Sequence, residues 1–282
     1  MLHILTVATH SERYLPVLEK QVDDSGLKLQ KLGMGKEYKG HFMKDLEVME
    51  YAKKINPNDI IIFVDGFDSL MLASTEEIMK KFESFNCDLL LSVENVGMLS
   101  FIHDTVFEKV KGKYINTGLY MGKAGFLLKF LEEIYADDSY NKKSNQKSWC
   151  SHLFKLITEK RFDNIALDSN SDVFLNHSFT TSNYVEMNSK RVVLNGESKP
   201  CFIQGNGCED MNYIIDDLGY SDQNVHTDTF FQDKMKYNIK AVFKTYSPIL
   251  TFYIYVVILM LIIIIYLSFS IYKNRNDTNF YF

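Results

Sequence analysis

Asp59-Ile60-Ile61-Ile62-Phe63-Val64-Asp65-Gly66-Phe67-Asp68 is the stretch from which the fold can be read. Residues 60–64 are apolar at every position, the pattern of a strand buried on both faces, which belongs to a mainly parallel sheet covered by helices on each side. The strand ends in Asp65 and Asp68, separated by Gly66 and Phe67, so two carboxylates stand just past the carboxyl edge of the sheet, where open α/β folds bind ligands. Two carboxylates in one tight turn can converge on a hard divalent cation. Taken alone, the pattern is weak and is better read as a solvated turn that closes a strand.

Working outward from this strand, hydrophobic periodicity predicts strands over 2–8, 27–32 and 88–93 and helices over 14–22, 42–54 and 75–85. Strands alternating with helices make the class α/β. Ser74 with Glu77 forms a capping box, and the acidic Glu76–Glu77 pair suits the positive end of the helix dipole, which fixes the start of the third helix. In the second half a strand is expected over 114–121, helices over 126–134 and 148–158, and short strands over 164–167, 191–194 and 201–204. Residues 137–147 read as a polar loop, and 219–236 as a polar stretch leading to the tail.

The chain has 282 residues, 46% hydrophobic and 24% charged, enough to bury a sizeable core in one large domain or two small ones. A net charge of -5 offers no basic footprint, so no nucleic-acid partner is expected. The 4 cysteines, Cys87, Cys150, Cys201 and Cys208, have no CxxC spacing and give neither a zinc nor a redox motif. Cys201 and Cys208 flank a glycine-rich turn and could bridge only in an oxidising compartment.

Residues 249–272 carry no charge, and at about 1.5 Å per residue such a run crosses a hydrocarbon core of roughly 30 Å. A single C-terminal transmembrane helix is expected, with Tyr253, Tyr255, Tyr266 and Tyr272 mostly towards its ends. The start, MLHILTVATH, lacks a basic leader and reads as a buried strand. The organisation expected is therefore a globular domain over 1–236, a juxtamembrane segment over 237–248, the span over 249–272 and a short tail over 273–282. Lys234, Lys236, Lys240 and Lys244 precede the span and Lys273 and Arg275 follow it, which places the large domain on the cytosolic side. Two acceptor sequons begin at Asn176 and Asn276.

The order of motifs around the acidic turn resembles the glycosyltransferase domain of the lysyl hydroxylases and related procollagen glycosyltransferases. The resemblance runs from Leu2 to about Gly207. Thr6-Val7-Ala8-Thr9 matches the end of that family's first strand. Leu32-Gly33-Met34-Gly35-Lys36-Glu37-Tyr38 matches its LGxG segment, with Tyr38 where the family has a tryptophan that packs on uracil. Lys44 matches a lysine that opens a helix, and Phe63-Val64-Asp65-Gly66-Phe67-Asp68 stands for FTDSYD. Ser92-Val93-Glu94-Asn95 resembles SAEE, and 114–122 resembles YLNSGGFIG. Ile165 to Asp168 with Val173 to Asn176 resembles LDxxxxIFQN, and 202–207 resembles IHGNG.

The resemblance implies a GT-A-like, Rossmann-type nucleotide-sugar-binding domain with a mostly parallel sheet, and a transferase that moves glucose or galactose from UDP-glucose or UDP-galactose to a hydroxyl of a protein or glycan, in the family hydroxylysine-linked. It implies Asp65, Asp68 and Gln204 as ligands of Mn2+ or Mg2+. It implies Val7, Ala8, Thr9, Tyr38, Lys44, Asn116, Gly118, Gly205, Asn206 and Gly207 as the donor-binding set. The glycines also suit close backbone approach to phosphate.

Two positions depart from the family. Gln204 stands where the family has its third metal ligand, a histidine; an amide oxygen is neutral and a weaker ligand for transition metals than imidazole. Asn145 and Gln146 stand where an acidic SDDQ-like run is implicated in donor binding or catalysis, leaving Asp137, Asp138 and Asp168 as other acidic candidates. These departures support a second reading, a catalytically silent, membrane-anchored binding or scaffold protein that retains the fold.

Overall fold

The computed structural model describes residues 1–94, 108–139, 144–178, 185–188, 191–206, 209–221 and 255–265. The chain divides into two units, Met1–Lys234 and Met235–Phe282. The first is the α/β domain. Its elements are β1 (Leu2–Val7), α1 (Leu15–Asp24), β2 (Leu29–Leu32), α2 (Phe42–Ala52), β3 (Ile60–Val64), β4 (Ser69–Met71), α3 (Thr75–Ser84) and β5 (Leu89–Glu94). There follow β6 (Tyr114–Lys123), α4 (Ala124–Ala136), α5 (Asn145–Thr158), β7 (Ile165–Asp168), β8 (Phe174–His177), β9 (Val185–Asn188), β10 (Arg191–Leu194), β11 (Phe202–Gly205) and α6 (Asn212–Leu218).

Among the described residues the main sheet has nine strands in the order β2-β1-β3-β6-β5-β8-β11-β4, with β7 also paired to β5. All pairings are parallel except those of β6 with β3 and β5, and of β4 with β11. The sheet is mixed and largely parallel, as expected. β9 and β10 form a separate antiparallel pair.

The unbroken apolar run of β3 follows from its central place: every residue from Ile60 to Val64 is buried. Because side chains alternate between faces, Ile61 and Phe63 join Leu5, Leu89 and Leu91 against α2, α4 and α5, whereas Ile60, Ile62 and Val64 join Ile4, Leu90 and Met121 against α1 and α3. Each fully buried aliphatic side chain contributes about 1.5–3 kcal/mol. On the first face Phe63 stacks on Tyr120, and Tyr120 packs on Trp149, with ring centroids 4.9 Å apart in both pairs.

Two helix starts differ from expectation for local reasons. α5 begins at Asn145 because Ser144 takes the N-cap position and its hydroxyl accepts from the Lys147 amide. α4 begins at Ala124, where the Gly125 amide donates to Pro57 O. Strands β4, β8 and β9 and helix α6 were not foreseen; all are short and take their definition from their partners.

Of the expected 249–272 span, only residues 255–265 are described, and they are helical and almost entirely exposed. No helix among the described residues is long and apolar enough to cross a membrane. The lysines at 234, 236, 240 and 244, the pair Lys273 and Arg275, and the Asn276 sequon lie outside the described residues, as does Cys208. Cys201 is a buried free thiol. Asn176 is buried in β8, its amide nitrogen donating to Ser92 Oγ and Val93 O, so the first sequon is closed in the folded domain.

Candidate active site

The acidic turn is positioned by three strands. After Val64 the Asp65 amide donates to Gly118 O, which fixes the start of the turn to β6. Four residues on, β4 runs antiparallel to β11 with Ser69 opposite Gln204, and the Gly205 amide donates to Asp68 O at 2.7 Å. Both ends of the turn are therefore held by backbone, and its carboxylates are set towards β11. Gln204 Nε2 lies 3.2 Å from Asp65 Oδ2 and 3.3 Å from Asp68 Oδ1. The structure thus brings together all three residues expected to hold a metal.

The sequence Asn116-Thr117-Gly118 supplies the third wall through a bulge. Leu91 pairs with Tyr120 but the next residue, Ser92, pairs with Asn116, so 117–119 stand opposite no residue of β5. The bulge presses Gly118 against the cluster: a Cβ there would lie 2.3 Å from Gln204 Oε1 and 2.8 Å from Asp65 Oδ2. Asn116 braces it, accepting from the Gly118 amide at 2.6 Å and donating to Glu94 Oε1 at 2.8 Å.

Strand register carries the polar surface further across the sheet. Ser69, Gln204, Asn176 and Glu94 are successive partners in adjacent strands and share one face. Ser69 Oγ, Asn176 Oδ1 and Gln204 Oε1 are buried without a hydrogen-bond partner. Unsatisfied buried polar atoms are rare in folded proteins.

The electrostatics centre on the turn. Lys44, in the first turn of α2, donates its ammonium to Asp65 Oδ1. Burial works to lower the Lys44 pKa, but Asp65, with help from Asp68, outweighs it and the pKa is raised. Burial and the neighbouring Asp65 charge push Asp68 up to about 7, against the pull of Lys44 and the Gln204 amide.

The remaining donor-site candidates gather at the end of β1. The Ala8 amide donates to Leu32 O, and the Gly35 amide to Thr9 O at 2.8 Å, so the 33–36 turn is tied to the Val7-Ala8-Thr9 strand end. Gly33 and Gly35 have φ of 82° and 75°, left-handed backbone that glycine adopts without strain. Tyr38 is half exposed; its hydroxyl lies 2.9 Å from His41 Nδ1, and burial raises its pKa, with smaller opposing contributions from Lys44 and Asp65. Asn206 follows Gly205 at the end of β11 with its amide donating to His177 O. Gly207 lies outside the described residues.

Other acidic candidates have different duties. Asp168 is fully buried and accepts from the amides of Asp172, Val173 and Phe174 at 2.7–2.8 Å, closing the β7–β8 turn. Asp137 accepts from Ser139 past the end of α4. Asn145 and Gln146 are structural: Asn145 Nδ2 donates to the buried Asp45 carboxylate and Gln146 Nε2 to Ile115 O.

Asp45 went unnoticed in the sequence. It is 1% exposed and also accepts from Trp149 Nε1 and Tyr135 OH, each at 2.9 Å. Its signal was available: it sits in the buried series Asp45, Val48, Met49 and Ala52, an acid on the apolar face of α2. Glu94 and Ser69 carry no site assignment in the sequence reading, and Asn176 enters it only as a sequon, though Glu94 and Asn176 lie within the motifs quoted above.

The donor chemistry of the cluster can be compared with what a cation needs. Two carboxylates and an amide oxygen form an all-oxygen set suited to Mg2+ or Mn2+. Gln204 Nε2 makes only long contacts to the carboxylates while its Oε1 is orphaned. A half-turn of the amide presents the oxygen to the same side. The residues fit a hard divalent cation. Among the described residues, no group of three or more His, Cys, Asp or Glu could hold a metal ion.

The family profile described as the PLOD GT domain matches residues 1–232. The chain belongs to this family. The PLOD GT domain here is 25% identical over 221 residues to procollagen-lysine,2-oxoglutarate 5-dioxygenase 1 of Gallus gallus, covering 72% of this chain and 30% of the relative. It is 25% identical over 194 residues to the Drosophila melanogaster procollagen-lysine,2-oxoglutarate 5-dioxygenase, covering 62% of this chain and 26% of the relative. The chain thus spans less than a third of the length of these relatives.

Among solved structures, a glycosyltransferase involved in glycosylating the major capsid of PBCV-1 is similar at 10% identity and TM-score 0.48, over 79% of this chain and 99% of that one. The galactosyltransferase LgtC, in complex with donor and acceptor sugar analogues, is similar at 12% identity and TM-score 0.47, over 83% of this chain and 100% of that one. The PLOD GT domain is an α/β domain with a mixed, largely parallel sheet.

Proposed function

We propose that this PLOD GT domain is a metal-dependent hexosyltransferase that moves glucose or galactose from a UDP-sugar to a hydroxyl of a protein or glycan acceptor. The observation that carries the reading is the convergence of Asp65, Asp68 and Gln204 at the carboxyl edge of the sheet, beside a bulge whose Gly118 lets the Gln204 side chain approach.

A bound Mn2+ or Mg2+ ion, held by the Asp65 and Asp68 carboxylates and Gln204 Oε1, would neutralise charge on the departing nucleoside diphosphate. The chain's own residues do the positioning. Tyr38 offers a half-exposed ring to the base, and the strand end Val7-Ala8-Thr9 with the 33–36 turn frames it. Lys44 supplies a positive charge for phosphate. Gly118 lets the Gln204 amide pack close beside Asp65, Gly205 packs against Glu209 and Met211, and Asn116 with Glu94 forms a braced polar pair beside the cluster.

The hydroxylysine-linked acceptor is carried over from the family resemblance. The apolar run 249–272 supports a membrane anchor, and its flanking lysines support a cytosolic large domain; flotation with lipid vesicles and protease protection of the full chain test these two points.

The function is tested by incubating the full chain with UDP-glucose or UDP-galactose and Mn2+ and measuring released UDP. Turnover that falls by two orders of magnitude or more in Asp65→Asn is expected, the loss of several kcal/mol of charge stabilisation. A wild-type protein that neither releases nor binds UDP would end this reading.

A further inference from the structure

The acidic turn already holds a cation of the protein's own. Lys44 Nζ donates to Asp65 Oδ1, and the two side chains are only 17% and 18% exposed. A divalent ion on Asp65 and Asp68 would come within ion-pair range of this ammonium, and like charges repel strongly where water is scarce. Two positive centres would then share one carboxylate.

A nucleoside diphosphate changes the balance, because its phosphate oxygens accept from both. Lysine suits such an exchange: its ammonium is a compact point charge on a flexible four-carbon stem. The helix beneath need not move. The next residue, Asp45, is clamped by Tyr135 of α4 and by Trp149 and Asn145 of α5, which holds the first turn of α2 in place while Lys44 swings.

We propose that Lys44 is a counter-ion gate, which weakens binding of a divalent cation alone and strengthens binding of cation and nucleoside diphosphate together. The gate rests on the metal-site reading of Asp65, Asp68 and Gln204. Linkage makes the coupling reciprocal: whatever diphosphate does for the cation, the cation does for diphosphate. The site therefore stays closed to free divalent ions and loads as a pair. A purely structural ion pair predicts the reverse for removal of the lysine, a loosened turn that binds the cation less well.

The test is titration of the full chain with Mn2+, following free Mn2+ by electron paramagnetic resonance, and with UDP by calorimetry at saturating Mn2+. Lys44→Met is expected to bind Mn2+ alone about tenfold tighter than wild type, and UDP about tenfold weaker. Lys44→Arg keeps the charge and should retain the weak wild-type affinity for Mn2+; near-ultraviolet circular dichroism checks that both variants fold. Wild-type binding of Mn2+ with no tightening in Lys44→Met, or equal tightening in Lys44→Arg, overturns the gate and leaves the metal site intact. Absence of Mn2+ binding by wild type even with UDP present overturns the metal site, and the gate with it.

Discussion

Gly118 lies directly against the Gln204 side chain: a methyl group on its α-carbon would stand 2.3 Å from Oε1 and 2.5 Å from Nε2. No real Cβ contact is that short, so Gly118→Ala must displace the amide, the Asp65 carboxylate or the bulge. Overpacking of this kind costs about 1–3 kcal/mol. We expect a matching loss of stability in urea and a fall of at least about tenfold in UDP affinity at saturating Mn2+. Unchanged affinity would mean that the amide swings clear and takes no part in the site.

Gln204→His restores a stronger ligand for transition metals at the same position on β11. Imidazole favours Mn2+ over Mg2+ more than an amide oxygen does. The ratio of Mn2+ to Mg2+ affinity, measured by competition with paramagnetic resonance detection, should rise by about tenfold. A ratio equal to that of the wild type would remove Gln204 from the ligand set.

Asp45 should make stability depend on pH. Burial raises its pKa from 3.8 to about 6, against hydrogen bonds from Trp149, Tyr135 and Asn145. A raised carboxylic acid holds its proton more tightly in the folded state, so its contribution is present below pH 4 and is lost as pH rises through about 6. A pKa raised from 3.8 to about 6 corresponds to about 3 kcal/mol. In Asp45→Asn the fall in unfolding free energy between pH 4 and 7 should be smaller than in wild type by about that amount. Parallel curves for the two proteins, followed by urea denaturation, would refute the assignment.

Asp168 closes the β7–β8 turn rather than taking part in chemistry, since its two oxygens accept from three backbone amides. Asp168→Ala leaves those amides unsatisfied, and a loss of about 2–4 kcal/mol is expected. UDP affinity of the folded fraction should stay within about twofold of wild type. A selective loss of UDP binding without loss of stability would return Asp168 to the list of active-site acids.

Much of this was legible in the sequence because the decisive signals are local. Five consecutive buried residues in β3 can only be a central strand, and the DGFD turn must follow it. The Ser74 cap is a local device too, and the structure has it, with the Glu77 amide donating to Ser74 Oγ. What escaped notice is set by pairing. β4 has three residues and no periodicity to read; it exists because β11 lies beside it. The row from Ser69 through Gln204 and Asn176 to Glu94 is a property of register across four strands, invisible until the strand order is known. Asn145 looked like a missing carboxylate, whereas it is a donor to Asp45, a residue 100 positions away.

The ladder between β4 and β11 also governs when the site comes into being. Asp65 and Asp68 meet Gln204 across 139 and 136 residues of chain. As the polypeptide leaves the ribosome, the acidic turn is exposed long before its partner strand has been made, and contacts so distant along the chain are the slow ones to close. Competence therefore arrives late and all at once: a nascent chain halted before residue 202 has the carboxylates but no edge to set them against.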